Sequence, residues 1–428
     1  MSGMDTYNGQ PITDGITQGI ELRRQRGLEI AAVAKITRGH AYYRGPSQSD
    51  SRKYAVYYTP DSQTCDCRDH ELRGCKCKHI FAVEFFMKRE RNISVSLDGT
   101  VTATESITVT KTRKTYPQNW PAYNEAQQNE KREFQSLLAD LCKTVEQPAQ
   151  DMSKGGRPRL PIGDAIFSAV FKIYSTMSAR RFTSDLCDAQ DKGYIEKVPH
   201  FNSVLKVLEN PDTFPILTRL IEQSSLPLQS VESDFAVDST GFAFCRFTKW
   251  FDIKYGRPAS EQQWIKTHIC TGVKTNIVTS VEIHEKNSND TLHLPALVNK
   301  TAENFTMREV SADKGYSSRT NHDAIAKVGG VPFIAFKHWT TGSVGGLFQK
   351  MFHFFQFKRD EFLAHYHKRS NVESTMMMIK TKFGDAVRSK TDVAARNEVL
   401  CKVLCHNICC LISAMYELGI QPQFDATA

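Results

Sequence analysis

The order of strand-like and helix-like segments after residue 233 is the feature that most constrains the fold. Alternating or β-branched stretches typical of strands recur five times, in FAVDSTGFAFCRFT, WIKTHICTGV, NIVTSVEIHEK, REVSADKGY and VPFIAF. Helix-like stretches separate the last three of these, namely LPALVNKTAENF and RTNHDAIAKVG. Beyond Gly346 the chain turns helical again as far as Leu418. The order β-β-β-α-β-α-β-α predicts an α/β fold in which helices flank a mixed sheet.

The segments upstream of this sheet predict three further regions. Residues 1–96 hold a strand that ends at Pro60 and then a helix, so we expect a small N-terminal module. Residues 97–118 are rich in Thr and Ser, which is typical of a linker. Residues 119–230 have mostly helical periodicity, and the sheet domain is expected to span residues 231–420.

Length, composition and net charge limit the classes of protein to which this chain can belong. A chain of 428 residues with 40% hydrophobic and 24% charged residues is too long for one small core and has a globular composition. We see no signal-peptide pattern and no uninterrupted apolar run long enough to span a bilayer, so we expect a cytoplasmic protein without a membrane partner. The net charge of +8 favours an anionic partner such as nucleic acid. Nine Lys or Arg face four Asp or Glu between Lys350 and Lys390, and that excess fits either nucleic acid or a solvated surface.

Twelve cysteines are distributed unevenly along the chain. Four lie between Cys65 and Cys77, and four lie in CKVLCHNICC near the C-terminus. Disulfides are unusual in the cytosol, so each cluster indicates either a metal site or apolar packing. The second cluster has helical spacing among Val, Leu and Ile, and we interpret it as part of the core.

The first cluster has the spacing of a metal site. In CDCRDHELRGCKCKH, Cys65 and Cys67 form a C-x-C pair, and Cys77 and His79 form a C-x-H pair nine residues later. Zn²⁺ takes four such ligands in a tetrahedron, and no open position is implied, so a structural zinc is predicted. Cys75 could replace Cys77 as a ligand, and four reduced cysteines without metal are the alternative.

Four polar residues near the C-terminus predict one functional stripe on a helix. Tyr366, Arg369, Glu373 and Lys380 are separated by three, four and seven residues, which are helical steps that return to one face. A surface ion pair is the simplest explanation for an acid beside Arg and Lys. The methionines 376–378 cover too wide an arc for all three to face the core, so one or two should pack on the sheet.

Two acids follow hydrophobic strand segments upstream of that stripe. Asp238 lies in AVDSTGF, and Asp313 lies in VSADKGYSS. Either could be an ordinary turn residue. Together with Glu373, however, they supply three carboxylates that can hold two Mg²⁺ or Mn²⁺ ions, because hard cations prefer oxygen ligands. Two such ions can catalyse phosphodiester cleavage.

These motifs together resemble those of the DDE transposases of insertion sequences, whose catalytic core is RNase H-like. The resemblance covers about residues 150–420 and includes the spaced signature of Tyr, Arg, Glu and Lys, as well as DKGY and GRPRLP. It implies that Asp238, Asp313 and Glu373 form the catalytic, metal-binding triad. It also implies that Arg369 and Lys380 contact DNA phosphates and that Tyr366 contacts a displaced nucleotide.

The N-terminal motif resembles the SWIM zinc finger, whose pattern is C-x-C, a variable gap and C-x-H. Such a module either reads DNA repeats or contacts protein. The segment KGGRPR, with Arg157 at its centre, is similar to the core of an AT-hook, whose Arg enters the minor groove. A turn that leads into the next helix explains it equally well.

These resemblances imply a transposase with one structural zinc and two catalytic Mg²⁺ or Mn²⁺ ions. It would bind the terminal inverted repeats of its element as a homodimer or higher multimer, cut the DNA, and join the 3′-OH to target DNA in the nucleoid. The rival interpretation is a domesticated, non-catalytic DNA-binding protein on the same fold.

Overall fold

The structure is a computed structural model that describes residues 6–7, 10–11, 13–47, 52–59, 62–91, 118–147, 159–244, 254, 264–337, 339–341 and 345–424. The chain forms two compact units, Met1–Tyr116 and Pro117–Ala428. The predicted linker is described only at residue 118.

The first unit packs helices on one face of a small antiparallel sheet. Its strands are β1 (Thr6–Tyr7), β2 (Gln10–Pro11), β3 (Thr37–Arg38), β4 (Tyr43–Pro46), β5 (Lys53–Tyr58) and β6 (Gln63–Cys65). Its helices are α1 (Thr13–Val33), α2 (Arg68–Arg73) and α3 (Lys78–Arg91). Strands β3 to β6 pair in chain order, and β1 pairs with β2 separately. Val56, Ile80 and Val83 are fully buried in the core of this unit.

Close packing of α1 against α3 depends on Gly27. A Cβ at this position would lie 2.5 Å from the Cβ of Phe81 and 2.9 Å from the carbonyl oxygen of Lys78. Any larger residue would therefore push the two helices apart.

The second unit begins with a helical layer, as the periodicity predicts. Its helices are α4 (Trp120–Lys143), α5 (Ile162–Ser175), α6 (Thr183–Asp191), α7 (Phe201–Glu209) and α8 (Thr213–Ser225). Helix α4 begins at Trp120. Asn119 caps it by accepting a hydrogen bond from the Ala122 amide, and Pro121 occupies the first turn.

A mixed sheet follows and confirms the predicted fold class. Its strands are β7 (Asp234–Phe244), β8 (Trp264–Gly272), β9 (Val278–His284), β10 (Glu309–Ala312), β11 (Val331–Ile334) and β12 (Ala386–Val387). Strand order is β11-β10-β7-β8-β9, where β7, β10 and β11 are parallel and β8 and β9 are antiparallel to their neighbours. The two-residue strand β12, which the sequence did not predict, pairs in parallel with the end of β7. This sheet with its flanking helices is consistent with an RNase H-like core.

Helices cover both faces of this sheet. They are α9 (Leu294–Ala302), α10 (Arg319–Lys327), α11 (Gly346–Phe357), α12 (Arg359–Tyr366), α13 (Ser370–Phe383) and α14 (Asp392–Leu418). Phe235 and Val237 of β7 pack with α9 and α10 on one face. Ala236 and Phe242 pack on the other face, in the larger core that includes α13, α14 and the helical layer. One face of β7 therefore looks toward α13.

The sequence showed no uninterrupted apolar run long enough to span a bilayer, but helix α14 has the length and composition of such a segment. It is long and apolar enough to cross a membrane by length and composition, but 72% of its apolar window is buried inside the fold. It packs on α4, α5, α7, α8 and β9. Cys401 and Cys405 are buried in it, as expected for core residues.

The stretch from Tyr366 to Lys380 is not one continuous α-helix, contrary to the sequence prediction. Helix α12 ends at Tyr366, residues His367–Arg369 form a 3₁₀ turn, and α13 begins at Ser370. Tyr366 therefore packs with Phe362 in an aromatic cluster, while Glu373 and Lys380 belong to α13.

Candidate active site and metal site

Two acids meet where the sheet opens between β7 and β10. Ala312 pairs with Val237 across these parallel strands, so Asp238 and Asp313 are neighbours one position further on. The sequence suggested that both acids lie at strand ends. Asp313 directly follows β10, which stops at Ala312, but Asp238 lies inside β7, which continues to Phe244. Side chains alternate along a strand, so both carboxylates point to the face that α13 covers.

Arg369 joins the third acid to the first. Its guanidinium donates one hydrogen bond of 3.0 Å to Asp238 Oδ2 and one of 2.5 Å to Glu373 Oε1. The Asp238 side chain is 19% exposed, whereas that of Glu373 is 55% exposed. The structure therefore brings Asp238, Arg369 and Glu373 into one group beside Asp313.

The electrostatics of Asp238 reflect this crowding. The pKa of its carboxyl group is raised to about 6, chiefly by burial and also by the nearby charges of Asp313 and Glu373, while the Ser239 amide and Arg369 act to lower it. An acid that is costly to ionise gains from a cation nearby.

Lys380 and the methionines complete this face of α13. Lys380 Nζ donates a 2.6 Å hydrogen bond to Thr240 Oγ1, two residues beyond Asp238 on β7. Burial lowers the pKa of this ammonium group. Met376 is buried, whereas Met377 and Met378 are 66% and 43% exposed, as the arc of the helix predicts.

An ion cluster that the sequence did not predict anchors the 3₁₀ turn. Lys368 Nζ lies 2.7 Å from both Asp234 Oδ2 and Glu309 Oε2, at the first residues of β7 and β10. Arg308 makes two further hydrogen bonds to Asp234, and His365 lies 2.9 Å from Glu309. The cluster fixes the residue next to Arg369 against the sheet.

A second group, on the opposite face, holds the turn after Asp313. The Tyr316 hydroxyl lies 3.1 Å from His268 Nδ1, and Thr291 Oγ1 donates to the Gly315 carbonyl at 2.7 Å. His268 is fully buried, and burial lowers its pKa to about 3, so it stays neutral. In this position it packs inside the sheet unit and hydrogen-bonds to Tyr316. The DKGY motif was the available sequence signal for Tyr316.

In the first unit, the predicted zinc ligands come together. The ligand atoms of Cys65, Cys67, Cys77 and His79 all lie within 4.8 Å of one another, and all four side chains are buried. His79 Nδ1 lies 3.8 Å from the Cys65 sulfur and 3.9 Å from the Cys77 sulfur. A hydrogen bond from Cys65 lowers the pKa of Cys77 to about 4. A buried thiolate among soft ligands fits a metal ion.

Two neighbouring candidates stay outside this group. Cys75 is half-buried and is not among the four clustered side chains. His70 Nδ1 bonds instead to the Cys75 carbonyl oxygen at 2.8 Å. The identity of the ion, and thus the assignment of these four residues to zinc, stays a prediction.

The carboxylates of Asp238, Asp313 and Glu373 are not as tightly clustered as the four Cys and His side chains. Within the described residues, the Cys/His set is the one group of three or more such side chains with all ligand atoms inside 4.8 Å. The Arg369 guanidinium stands between Asp238 and Glu373. Three mutually repelling carboxylates on one face still suit a divalent cation, provided that Glu373 turns away from Arg369. Arg157, the AT-hook candidate, lies outside the described residues.

Comparison with known proteins gives one match, which lies within the second unit. No curated protein and no solved structure matches the chain significantly. Residues 229–408, which contain β7 to β12 and all three acids, match the family model of the transposase DDE domain, and this match supports a DDE transposase.

Proposed function

We propose that this protein is a DNA transposase that cleaves phosphodiester bonds at the ends of its element and transfers the 3′-OH to target DNA. The observation that carries the proposal is the grouping of Asp238, Asp313 and Glu373 on one face of the sheet, within the matched domain. Asp238 and Asp313 would hold Mg²⁺ or Mn²⁺ from the strands, and Glu373 from α13. Two bound ions would activate the attacking hydroxyl and stabilise the leaving oxygen.

Basic side chains around the acids have complementary roles in the proposal. Arg369, released from Glu373 when that acid turns to the metal, would pair with a DNA phosphate. Lys380, half-buried beside Thr240, would stabilise the charge of the cleaved strand end. Tyr366, which is only partly buried against the aromatic cluster, would contact a displaced nucleotide.

The remaining parts of the proposal concern partners and place. The protein would bind terminal inverted repeats as a homodimer or higher multimer and act on the nucleoid in the cytoplasm. Its N-terminal unit would be a SWIM-type finger with one structural zinc, supported by the four clustered ligands.

The decisive experiment compares Glu373→Gln with Glu361→Gln, an exposed acid on α12. The substrate is a duplex that carries the inverted repeats flanking the gene, incubated with Mg²⁺ or Mn²⁺. Removing one carboxylate charge should abolish cleavage and weaken Mn²⁺ binding measured by electron paramagnetic resonance, while DNA binding persists. The control should cleave like the wild type.

A different outcome would favour the non-catalytic rival. If the wild type binds the repeats but never cuts them with either ion, or if Glu373→Gln cuts as well as the wild type, the catalytic assignment is wrong. Lys380→Ala should behave differently from Glu373→Gln, because loss of a phosphate contact weakens DNA binding and reduces its salt dependence by about one unit of slope.

A further inference from the structure

The four-stranded sheet of the first unit has one covered face and one exposed face. Tyr43, Val56 and Cys65 point inward and are buried with the helices of this unit. Because side chains alternate along a strand, the neighbours of these residues point outward. The outward residues include Arg44 and Tyr57, both exposed.

Two tyrosines form an aromatic pair on this outer face. Tyr43 pairs with Val56 across β4 and β5, which brings Tyr42 beside Tyr57. Their ring centroids are 5.8 Å apart, and Tyr57 is 49% exposed. The Arg44 guanidinium lies 5.3 Å from the centre of the Tyr42 ring. A half-exposed ring that the core does not use is available for stacking.

Positive charge surrounds the pair. Arg44 and Lys53 are exposed on this face, and neither has an ion-pair partner within the described part of the chain. Asp66 is a carboxylate close to this sheet, and its Oδ1 accepts a 2.9 Å hydrogen bond from the Ala55 amide. The face therefore combines exposed rings with an excess of cations.

We propose that this outer face binds single-stranded DNA, with a base stacked on Tyr57 and phosphates on Arg44 and Lys53. A single strand is the favoured form because its bases are free to stack on protein rings, whereas duplex bases already stack on one another. The proposal deepens the proposed function, and it rests on that function for the choice of DNA. It uses the face opposite the Cys/His cluster, so the metal site would shape the sheet without touching the ligand.

Fluorescence anisotropy of a labelled oligo-dT strand with the full-length protein tests the stacking. Tyr57→Ala should weaken binding roughly tenfold, while Tyr57→Phe, which keeps the ring, should bind like the wild type. Tyr123→Ala is the matched control, since Tyr123 is 38% exposed on α4 in the other unit. Equal binding by the wild type and Tyr57→Ala would overturn the proposal.

Salt titrations test the charge. Arg44→Ala and Lys53→Ala should each reduce the salt-dependence slope by about 0.7, the value for one phosphate on a single strand. Lys88→Ala, an exposed lysine on α3, should leave the slope unchanged. Zinc content and circular dichroism are measured on every variant. If Tyr57→Ala loses its metal or fold, Thr64→Glu, opposite Tyr57 on β6, replaces it and should weaken binding through its negative charge.

Cross-linking identifies the surface directly. An oligonucleotide with 5-iodouracil should cross-link to Tyr57 or Tyr42, and cross-links confined to residues 117–428 would refute the proposal. Tighter binding to oligo-U than to oligo-dT would show that the ligand is RNA, and it would refute the assignment to DNA. If Tyr57→Ala weakened duplex binding as much as oligo-dT binding, the single-strand preference would be refuted. Glu361→Gln, which alters an exposed acid outside both sites, should bind oligo-dT normally. A wild type that never cleaves, combined with a defective Tyr57→Ala, would therefore reject the proposed function and leave this inference standing.

Discussion

Replacing Lys368 with methionine should destabilise the second unit by about 2 kcal/mol. The lysine side chain is 28% exposed, and its two carboxylate partners are only 8% and 13% exposed. Removing one member of a fully buried pair costs about 3–5 kcal/mol, whereas an exposed pair contributes about 0–1 kcal/mol. Asp234 keeps Arg308 and Glu309 keeps His365, so the expected cost lies between these limits.

The pH dependence of this loss follows from the shifted pKa values. Burial acts to raise the pKa of Asp234 and of Glu309, but hydrogen bonds from Lys368 and its neighbours outweigh burial and hold both pKa values below their ordinary range. These acids therefore stabilise the fold above about pH 4 and lose that effect as the pH falls through their folded pKa values. Burial acts to lower the pKa of Lys368, but the two acids outweigh burial and raise it above its ordinary value. The lysine therefore keeps its charge, and its contribution to stability, up to about pH 10.

Urea unfolding followed by tryptophan fluorescence measures the effect, because all four tryptophans lie between residues 120 and 339, inside the second unit. Lys358→Met is the control, since Lys358 is 67% exposed and pairs with Glu361 at 3.4 Å. It should change stability by less than about 0.5 kcal/mol. The reasoning fails if both variants are equally destabilised, or if the deficit of Lys368→Met at pH 3 equals that at pH 7.

Three further predictions follow from other sites. The purified protein should carry one zinc per chain by elemental analysis, and Cys77→Ala should lose it while Cys75→Ala keeps it; the reverse would reassign the ligand. Asp238→Asn should stabilise the metal-free second unit by about 1–3 kcal/mol at pH 7.5 in urea unfolding. The raised pKa of Asp238 makes the wild type less stable as the pH rises from about 4 to 6, so this gain should vanish near pH 4. Asn407→Ala should cost about 2–4 kcal/mol, because Asn407 bonds to the Val278 amide and carbonyl and to Ser224 inside the core; exposed Glu417→Ala should cost less than about 0.5 kcal/mol.

Local sequence patterns predicted the five longer strands of the mixed sheet. The continuous apolar run Phe235–Val237 before Asp238 is typical of a strand that is buried on both faces, and these residues are buried against helices on both sides of the sheet. The start of α4 was also readable, since Asn119 and Pro121 are standard signals of a helix N-terminus.

The break between α12 and α13 could not be read in the same way. Helical spacing from Tyr366 to Lys380 is compatible with one straight helix. The 3₁₀ turn forms where Lys368 reaches Asp234 and Glu309, residues that are 134 and 59 positions away. Contacts between residues so far apart in the chain produce no periodic pattern in the local sequence. The two-residue strand β12 was missed for the same reason, since only its pairing with β7 defines it.

Helix α14 has a consequence for how the chain folds during synthesis. It follows every strand and helix on which it packs, so the ribosome makes it after α4, α5, α7, α8 and β9. Until α14 emerges, the apolar surfaces of those elements have no cover, and exposed surfaces of this kind promote aggregation. The second unit should therefore acquire its protease resistance only after residues 392–418 have left the ribosome. Nascent chains stalled before that point should depend on chaperones to stay soluble.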